Sequence, residues 1–356
     1  MRKKILFIAL ALVMMVSLSF AGCSGSGGGA ESGGDSAAEG TGDEATTAAE
    51  DDATSDTGGA EKYKFGVVVQ AISGDFTNSF IKGAEDAAKL IGCEVEVTGP
   101  EEQKIDQEVS IVETMLESDI DGIAVVAGDK EGFRSSVDLA ESKGIPFVTF
   151  NMDDGDPNDP GMKHPGYGIG YAGAVEYNFA YLFAEKFFND IAPDVKNYLI
   201  ATADPALPVC VERATAIRDV AKAKGIKELE TVPIGYDFNE GYSAVENALT
   251  ANPDVEAIVG TDHFSQSIAN VVGDQGLGDK IKVGCFDPLP GTIARLETGD
   301  CDLIADQNPY LMAYYSIINL YSLKTNGSCA YNIDTGAFMW TQDLIEDLKV
   351  KYDYKG

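Results

Sequence analysis

Apolar and polar positions alternate along the chain in a regular series of short runs and amphipathic segments. Apolar runs at 65–69, 122–126 and 145–150 and the alternating segment EVEV at 94–97 predict strands, and the first run lacks polar alternation, as expected of a parallel strand buried on both faces. Between the runs, apolar residues recur at helical spacing, at Phe80, Ala84, Ala87, Ala88 and Ile91, at Val109, Val112, Met115 and Leu116, and at Phe133, Val137 and Ala140. Strands that alternate with helices predict a parallel sheet with helical crossovers.

The same order repeats in the second half of the chain. Strand-like runs lie at 197–201, 231–234, 257–260 and 282–286, separated by helical patterns that carry Ala214, Ile217, Val220 and Ala221, then Val245, Ala248 and Leu249. A further helix is expected from Ala174 to Phe188. We therefore predict an α/β protein of two similar three-layer lobes, each built on a parallel sheet.

Hydrogen-bonding side chains lie at or just past the carboxyl ends of many of the predicted strands. The residues concerned are Gln70, Asp129, Asn151, Asp204, Asp262, Asp287 and Gln307. In open α/β sheets, ligands bind at the carboxyl ends of the strands, because side chains that leave the sheet there line a crevice. The pattern predicts a polar binding cleft between the two lobes.

The first 62 residues have a different character from the rest. Arg2, Lys3 and Lys4 precede an apolar stretch at 5–16, which is typical of a secretory signal peptide over residues 1–22. The following Ala21-Gly22-Cys23 resembles a bacterial lipobox, which implies that Cys23 is lipidated and holds the protein at the outer face of the membrane. Residues 23–62 are rich in Gly, Ser and acidic residues, and predict a disordered tether that spans roughly 35 Å.

Composition narrows the possible partners. The formal net charge of −32 argues against nucleic acid, because the phosphates would be repelled. The chain holds only two histidines and no CxxC spacing, so no metal or cofactor is expected. Downstream of the lipobox lie Cys93, Cys210, Cys285, Cys301 and Cys329, which allow one disulfide without fixing its pairing.

Five segments in order resemble the type I periplasmic binding proteins that serve bacterial ABC transporters for simple sugars, ribose-binding proteins in particular. The segments are GDFTNSF at 74–80, GIPFV at 144–148, ERA at 212–214, NPDV at 252–255 and GCFD at 284–287. The resemblance implies a monomeric binding lipoprotein, not an enzyme, that encloses a sugar or polyol between its lobes and delivers it to the membrane subunits of an ABC permease. Polar side chains can bind the hydroxyls of such a ligand, and aromatic rings can pack against its C–H faces, so a site for it should contain both.

The resemblance also assigns binding residues by position. Phe76 matches an aromatic that stacks on the sugar, Tyr236 matches an aromatic wall and Arg213 a binding arginine, while Met152 and Thr77 replace an arginine and a second aromatic. Counting the strand ends, the expected binding residues are Gln70, Phe76, Asn151, Arg213, Tyr236, Asp262, Asp287 and Gln307.

The family's chain crosses between its lobes three times. The resemblance therefore implies a hinge with crossings near Gly168, Asn308 and Gly336. The amino-terminal lobe would comprise residues 62–168 and 308–336, and the other lobe residues 169–307 and 337–356.

Several other interpretations remain open in the sequence. GIGYAG at 168–173 fits a dinucleotide fingerprint without the strand that should precede it, and the acidic run at 153–159 lacks the glycine and glutamate of a calcium loop. His263 beside Asp262 could act as a general base in a secreted sugar-modifying enzyme, although no nucleophile motif is present. Within the binding class, the ligand could instead be a furanone signal or a nucleoside, and the partner a sensor kinase.

Overall fold

Two six-stranded sheets with helices packed on both faces form the part of the protein that the structure, a computed structural model, describes: residues 62–129, 131–153, 170–330 and 332–355. In chain order the strands are β1 (Lys64–Val68), β2 (Glu94–Thr98), β3 (Gly122–Val125), β4 (Phe147–Phe150), β5 (Tyr171–Gly173), β6 (Asn197–Thr202), β7 (Lys227–Pro233), β8 (Ala257–Gly260), β9 (Lys282–Phe286), β10 (Leu303–Asp306), β11 (Asn332–Asp334) and β12 (Phe338–Trp340). Cys23, the predicted tether, Gly168 and residues 154–159 of the acidic run lie outside the described residues.

Ten α-helices lie among the described residues. They are α1 (Asp75–Ile91), α2 (Ile105–Leu116), α3 (Arg134–Lys143), α4 (Glu176–Lys186), α5 (Pro208–Ala223), α6 (Phe238–Ala251), α7 (Gln266–Asp274), α8 (Pro290–Thr298), α9 (Pro309–Asn326) and α10 (Ile345–Lys351). A π-helical turn, Phe187–Ile191, extends α4, and short 3₁₀ turns cover His263–Ser265 and Gln342–Leu344.

The two sheets have the same strand order. The first runs β2-β1-β3-β4-β5-β11 and the second β7-β6-β8-β9-β10-β12. All pairs are parallel except β10 with β12, which is antiparallel and sets Ile304 opposite Trp340. The predicted class of two α/β lobes is confirmed, with one antiparallel strand at the edge of the second sheet.

Each sheet is covered by helices on both faces because its strands are apolar on both faces. In β1, Phe65 and Val67 pack in one cluster with Phe80 of α1, while Val68 packs in another with Leu116 of α2. The larger cluster continues from the first lobe into the second, where it includes Phe183 of α4. Burial of this apolar area is the main favourable contribution to folding.

The short strands and one edge strand were missed or misplaced by the apolar pattern. Strands β5, β11 and β12 have three residues each, too few for a periodic signal. Strand β7 begins at Lys227, four residues before the predicted run, because it is an edge strand and its first residues are partly exposed and polar.

The chain passes between the sheets at three places, between Gly173 and Glu176, between Asp306 and Pro309, and between Asp334 and Phe338. The first passage lies after Gly173 rather than near Gly168, because Tyr171–Gly173 pairs with β4 and so extends the first sheet. Residues 171–173 therefore belong with the amino-terminal lobe. The predicted boundary at 168 had placed them in the second lobe.

Candidate functional site

A cavity of about 60 Å³, here called the interlobe cavity, lies where the carboxyl ends of the two sheets face each other. Its lining comes from the first lobe (Gln70, Phe76, Gln103, Asn151, Met152) and from the second (Ala203, Leu207, Val209, Arg213, Tyr236, Asp262, His263, Phe264, Asp287, Gln307). All eight residues that the sequence analysis proposed for binding are among them. Asp129 and Asp204, which also follow strands, do not line this cavity.

Arg213 is the centre of a buried polar network in the second lobe. It is 3% exposed, on α5, and its guanidinium donates to Glu176 Oε2 at 2.5 Å, to the Thr261 carbonyl at 2.9 Å and to Gln307 Oε1 at 2.9 Å. Its charge also lies 4.9 Å from the centre of the Phe286 ring. These contacts hold the guanidinium in one orientation, in which Arg213 forms part of the cavity lining.

Asp287 continues this network. Gln307 Nε2 donates to both of its carboxylate oxygens, at 2.9 and 3.0 Å. Burial raises the pKa of Asp287 to about 7, and the charge of Arg213 and the bond from Gln307 oppose that rise. A buried carboxylate with lone pairs to spare is a strong acceptor for a ligand hydroxyl.

The first lobe presents polar groups that have no hydrogen-bond partner among the described residues. Gln70 is 7% exposed, and its Oε1 is buried without a hydrogen bond in the described part of the chain. The Asn151 side chain, also 7% exposed, makes no hydrogen bond among those described residues either. Because an unsatisfied buried acceptor costs about 1–3 kcal/mol, such groups point to a ligand that satisfies them.

Aromatic rings close the cavity from both lobes. The rings of Phe76 and His263 stack across the gap with centroids 5.4 Å apart and planes 10° from parallel. Burial lowers the pKa of His263, so that its ring is neutral at pH 7. Tyr236 packs edge-on against Phe264, with centroids 5.8 Å apart, and completes the wall.

Asp262 lines the cavity, but its carboxylate is largely engaged with the protein. Oδ1 accepts from the Phe264 amide at 2.9 Å, and Oδ2 accepts from the Ala203 amide at 2.7 Å and from the Thr261 hydroxyl at 3.0 Å. These bonds join the ends of β6 and β8, so Asp262 shapes the site and has less capacity for a ligand than Asp287.

The sequence analysis missed several lining residues of this cavity, among them His263, and also Glu176, which lies behind the lining and bonds to Arg213. Glu176 starts α4 and orients Arg213, and no local pattern connects it to a partner 37 residues away. The sequence analysis considered His263 only as a general base, whereas in the structure its ring lines the cavity and stacks on Phe76. Its position directly after Asp262, at the end of a strand, was the sequence feature that could have indicated a place in the lining.

The dinucleotide interpretation finds little support among the described residues. Tyr171–Gly173, the second half of the glycine motif, is a strand and not a turn that opens a helix. No group of three or more His, Cys, Asp or Glu side chains in the described ranges is placed to hold a metal ion. Cys93, Cys210, Cys285 and Cys301 are buried thiols, and no disulfide joins any two of them.

Comparison with known proteins identifies the family. Residues 65–327 match the periplasmic binding protein domain. The chain is 28% identical over 284 residues to the xylose/arabinose-binding protein XylF of Sulfolobus acidocaldarius, covering 77% of this chain and 70% of that protein. It is 21% identical over 261 residues to the ribose import binding protein RbsB of Bacillus subtilis, covering 72% of this chain and 80% of that protein.

Solved structures show the same fold. A solute-binding protein of an ABC transporter from Burkholderia graminis, in complex with D-arabinose, superposes with a TM-score of 0.72 at 25% identity, covering 81% of this chain and 98% of that one. One from Agrobacterium vitis, bound with α-D-tagatopyranose, gives a TM-score of 0.75 at 22% identity, covering 83% of this chain and all of that one. The chain belongs to the periplasmic binding protein family and has its type I architecture. No helix in the described ranges is both long and apolar enough to cross a bilayer.

Proposed function

We propose that this protein binds a neutral sugar or polyol in the interlobe cavity and delivers it to an ABC permease. The observation that carries the proposal is the combination of fixed donors and acceptors (Arg213, Asp287, Gln307) with the unpartnered Gln70 Oε1 and the rings of Phe76 and His263. Hydroxyls can bind the polar groups, and the C–H faces of a sugar ring can pack on the rings. The sugar specificities of the relatives XylF and RbsB agree with this chemistry.

A neutral ligand fits the site better than an anionic one. Glu176 pairs with Arg213 directly, and Asp287 bonds to Gln307, which itself accepts from Arg213, so the one cation of this network already has a carboxylate partner inside the protein. An anionic ligand would lie beside these carboxylates without a free cation of the network to pair with it, and a buried charge without a counterion is strongly unfavourable.

The test is a thermal-shift screen of the purified protein against monosaccharides, polyols, nucleosides and amino acids, followed by calorimetric titration of each hit. Stabilisation by a sugar, with the sugar recovered unchanged, is the expected result. Stabilisation by nucleosides alone, or conversion of a sugar into another product, would contradict the proposal. Delivery is then tested by reconstitution with the permease, where uptake should require the binding protein.

Attachment to the membrane is a separate part of the proposal. Cys23→Ser should release the protein from the membrane fraction or block its processing, because the lipidated residue is lost, while ligand affinity of the folded region stays the same. The measurement is membrane fractionation with mass spectrometry of the mature amino terminus. Wild-type protein found freely soluble with residues 1–22 still attached would refute lipidation at Cys23.

A further inference from the structure

A second, larger space adjoins the interlobe cavity. This outer cavity, of about 970 Å³, lies between the start of α1 and the start of α9 on the first lobe and the start of α8 and the carboxyl-terminal segment 351–355 on the second. Phe76 and Asp287 line both cavities, so the two spaces meet at these side chains. A group attached to a ligand in the interlobe cavity could therefore extend into the outer one.

The outer cavity has the mixed lining that suits a sugar. Its apolar surface comes from prolines and tyrosines, namely Pro288, Pro290, Tyr310, Tyr352 and Tyr354. Polar groups of Asn78, Ser79 and Asn308 line it as well, and none of these three side chains makes a hydrogen bond in the described part of the chain. Flat apolar faces beside spare neutral donors and acceptors match the C–H faces and hydroxyls of a second ring.

The lysines that line the outer cavity are already paired with carboxylates. Lys82 bonds to Asp86 at 2.8 Å, Lys351 to the fully buried Asp306 at 2.8 Å, and Lys355 to Asp353 at 3.1 Å. The lysines that line this space are thus neutralised by carboxylates of the protein. An anionic substituent would compete with those carboxylates, so the lining favours a neutral group.

The volumes of the two cavities also favour a ligand that extends into the outer one. The interlobe cavity is far below the roughly 300–1,000 Å³ of typical ligand pockets, whereas the outer cavity reaches the top of that range. We propose that the ligand is a substituted sugar, a disaccharide or a glycoside, with one ring in the interlobe cavity and its substituent in the outer cavity. This inference rests on the proposed sugar-binding function and specifies its ligand class.

The test compares each monosaccharide with its own methyl glycoside, 4-nitrophenyl glycoside and disaccharides by calorimetric titration of the full chain. The expected result is at least tenfold tighter binding of one substituted form than of its parent sugar. Binding of a parent sugar with no substituted form bound more tightly would overturn the inference and leave the proposed function intact. Absence of binding by every sugar and glycoside would instead overturn the proposed function.

Two substitutions locate the effect. Asn78→Trp on α1 and Ala294→Phe on α8 fill the outer cavity from opposite walls, and neither residue lines the interlobe cavity. Each should abolish the tenfold preference while leaving the affinity for the parent sugar within threefold. Glu85→Trp, at an exposed position of α1 outside the cavity, should keep the preference. A preference that survives both filling variants would place the substituent elsewhere and reject the assignment.

Discussion

Asn151 and Asp287 occupy equivalent positions in the two lobes, each directly after the fourth strand of its half. Both have left-handed backbone conformations, with φ of 61° and 64°. This conformation is costly for most L-residues and tolerated best by Asn and Asp, whose short polar side chains bond locally. The sharp turn ends the strand and leaves both side chains in the lining of the interlobe cavity. The polar strand ends therefore reflect backbone geometry as well as ligand chemistry.

Asp287→Ala should weaken ligand binding by roughly 2 kcal/mol or more, about thirtyfold, measured by calorimetric titration. The substitution removes the acceptor of a ligand hydroxyl and leaves Gln307 Nε2 without its partner inside the protein.

Asp129→Ala is the matched control for that measurement. Asp129 also follows a strand, but its Oδ1 accepts from the amides of Glu131 and Gly132 and it does not line the cavity. The Asp129→Ala variant should lose far less ligand affinity than the Asp287→Ala variant. Equal affinities of wild type and the Asp287 variant would show that the site lies elsewhere.

Glu108 is a buried carboxyl away from the interlobe cavity. It is fully buried on α2 without a hydrogen bond in the described part of the chain, and burial raises its pKa to about 9. The folded protein keeps this group protonated, whereas the unfolded chain ionises it near its ordinary value of 4.5. Ionisation of Glu108 in the unfolded chain therefore leaves the free energy of unfolding unaffected below pH 4.5. As the pH rises from there to about 9, it lowers the free energy of unfolding progressively.

Glu108→Gln should remove this loss. The variant is expected to gain on the order of a few kcal/mol over wild type at pH 8 and little at pH 5, measured by thermal or urea unfolding at both values. Asp106→Asn, at an exposed position of the same helix, is the control. A Glu108 variant with the same advantage at pH 5 as at pH 8 would disprove the role of ionisation.

At the scale of elements, the packing of α1 against α9 sets one wall of the binding region. Gly83 of α1 lies against the backbone of Tyr310 at the start of α9, with no room for a Cβ atom. Tyr310 donates from its hydroxyl to Asp86 of α1 at 3.0 Å. This close contact positions both Phe76, the second residue of α1, and the Tyr310 side of the outer cavity.

Gly83→Ala should force the two helices apart and destabilise the protein by about 1–3 kcal/mol, as overpacking does elsewhere. Chemical unfolding measures the effect. Glu85→Ala, two residues along on the exposed face of α1, should change stability by less than about 0.5 kcal/mol. Equal stabilities for the two variants would mean that α1 and α9 can separate without loss.

At the scale of the whole molecule, three passages of chain connect two lobes that face each other across the interlobe cavity. Such an arrangement permits hinge closure, in which ligand contacts with both lobes exist only in the closed state. The interlobe cavity, at about 60 Å³, is too narrow for a sugar ring, so Phe76 and His263 must separate for a ring to enter. Their stack is therefore a contact that favours the closed form before ligand binds.

Phe76→Ala should shift the ligand-free protein toward the open form. An aromatic pair contributes about 0.5–1.5 kcal/mol, so the ratio of open to closed protein should rise roughly two- to tenfold. Small-angle X-ray scattering should show a larger radius of gyration for the ligand-free variant. Phe264→Ala is the control, since its ring contacts among the described residues are all within the second lobe. The same radius in the Phe76 variant as in wild type would contradict a role for the stack.

The sequence by itself determined the class of fold and the edge of the sheets where the site lies. Apolar runs such as 122–126 must be buried on both faces, and alternation with helices makes their sheet parallel. Parallel strands of one sheet end on one side, so polar residues that follow them, such as Gln70 and Asn151 in the first lobe, had to lie at the same edge. These features depend on short-range patterns, which a sequence displays directly.

The tertiary structure alone decided how those residues pair. Arg213 bonds to Glu176 and Gln307, which lie 37 and 94 residues away, and Asp262 bonds to Ala203 at a distance of 59 residues. No local pattern encodes which of several polar strand ends keeps free lone pairs and which is consumed by backbone amides. The stack of Phe76 on His263 and the outer cavity likewise exist only because the folded lobes bring distant surfaces together.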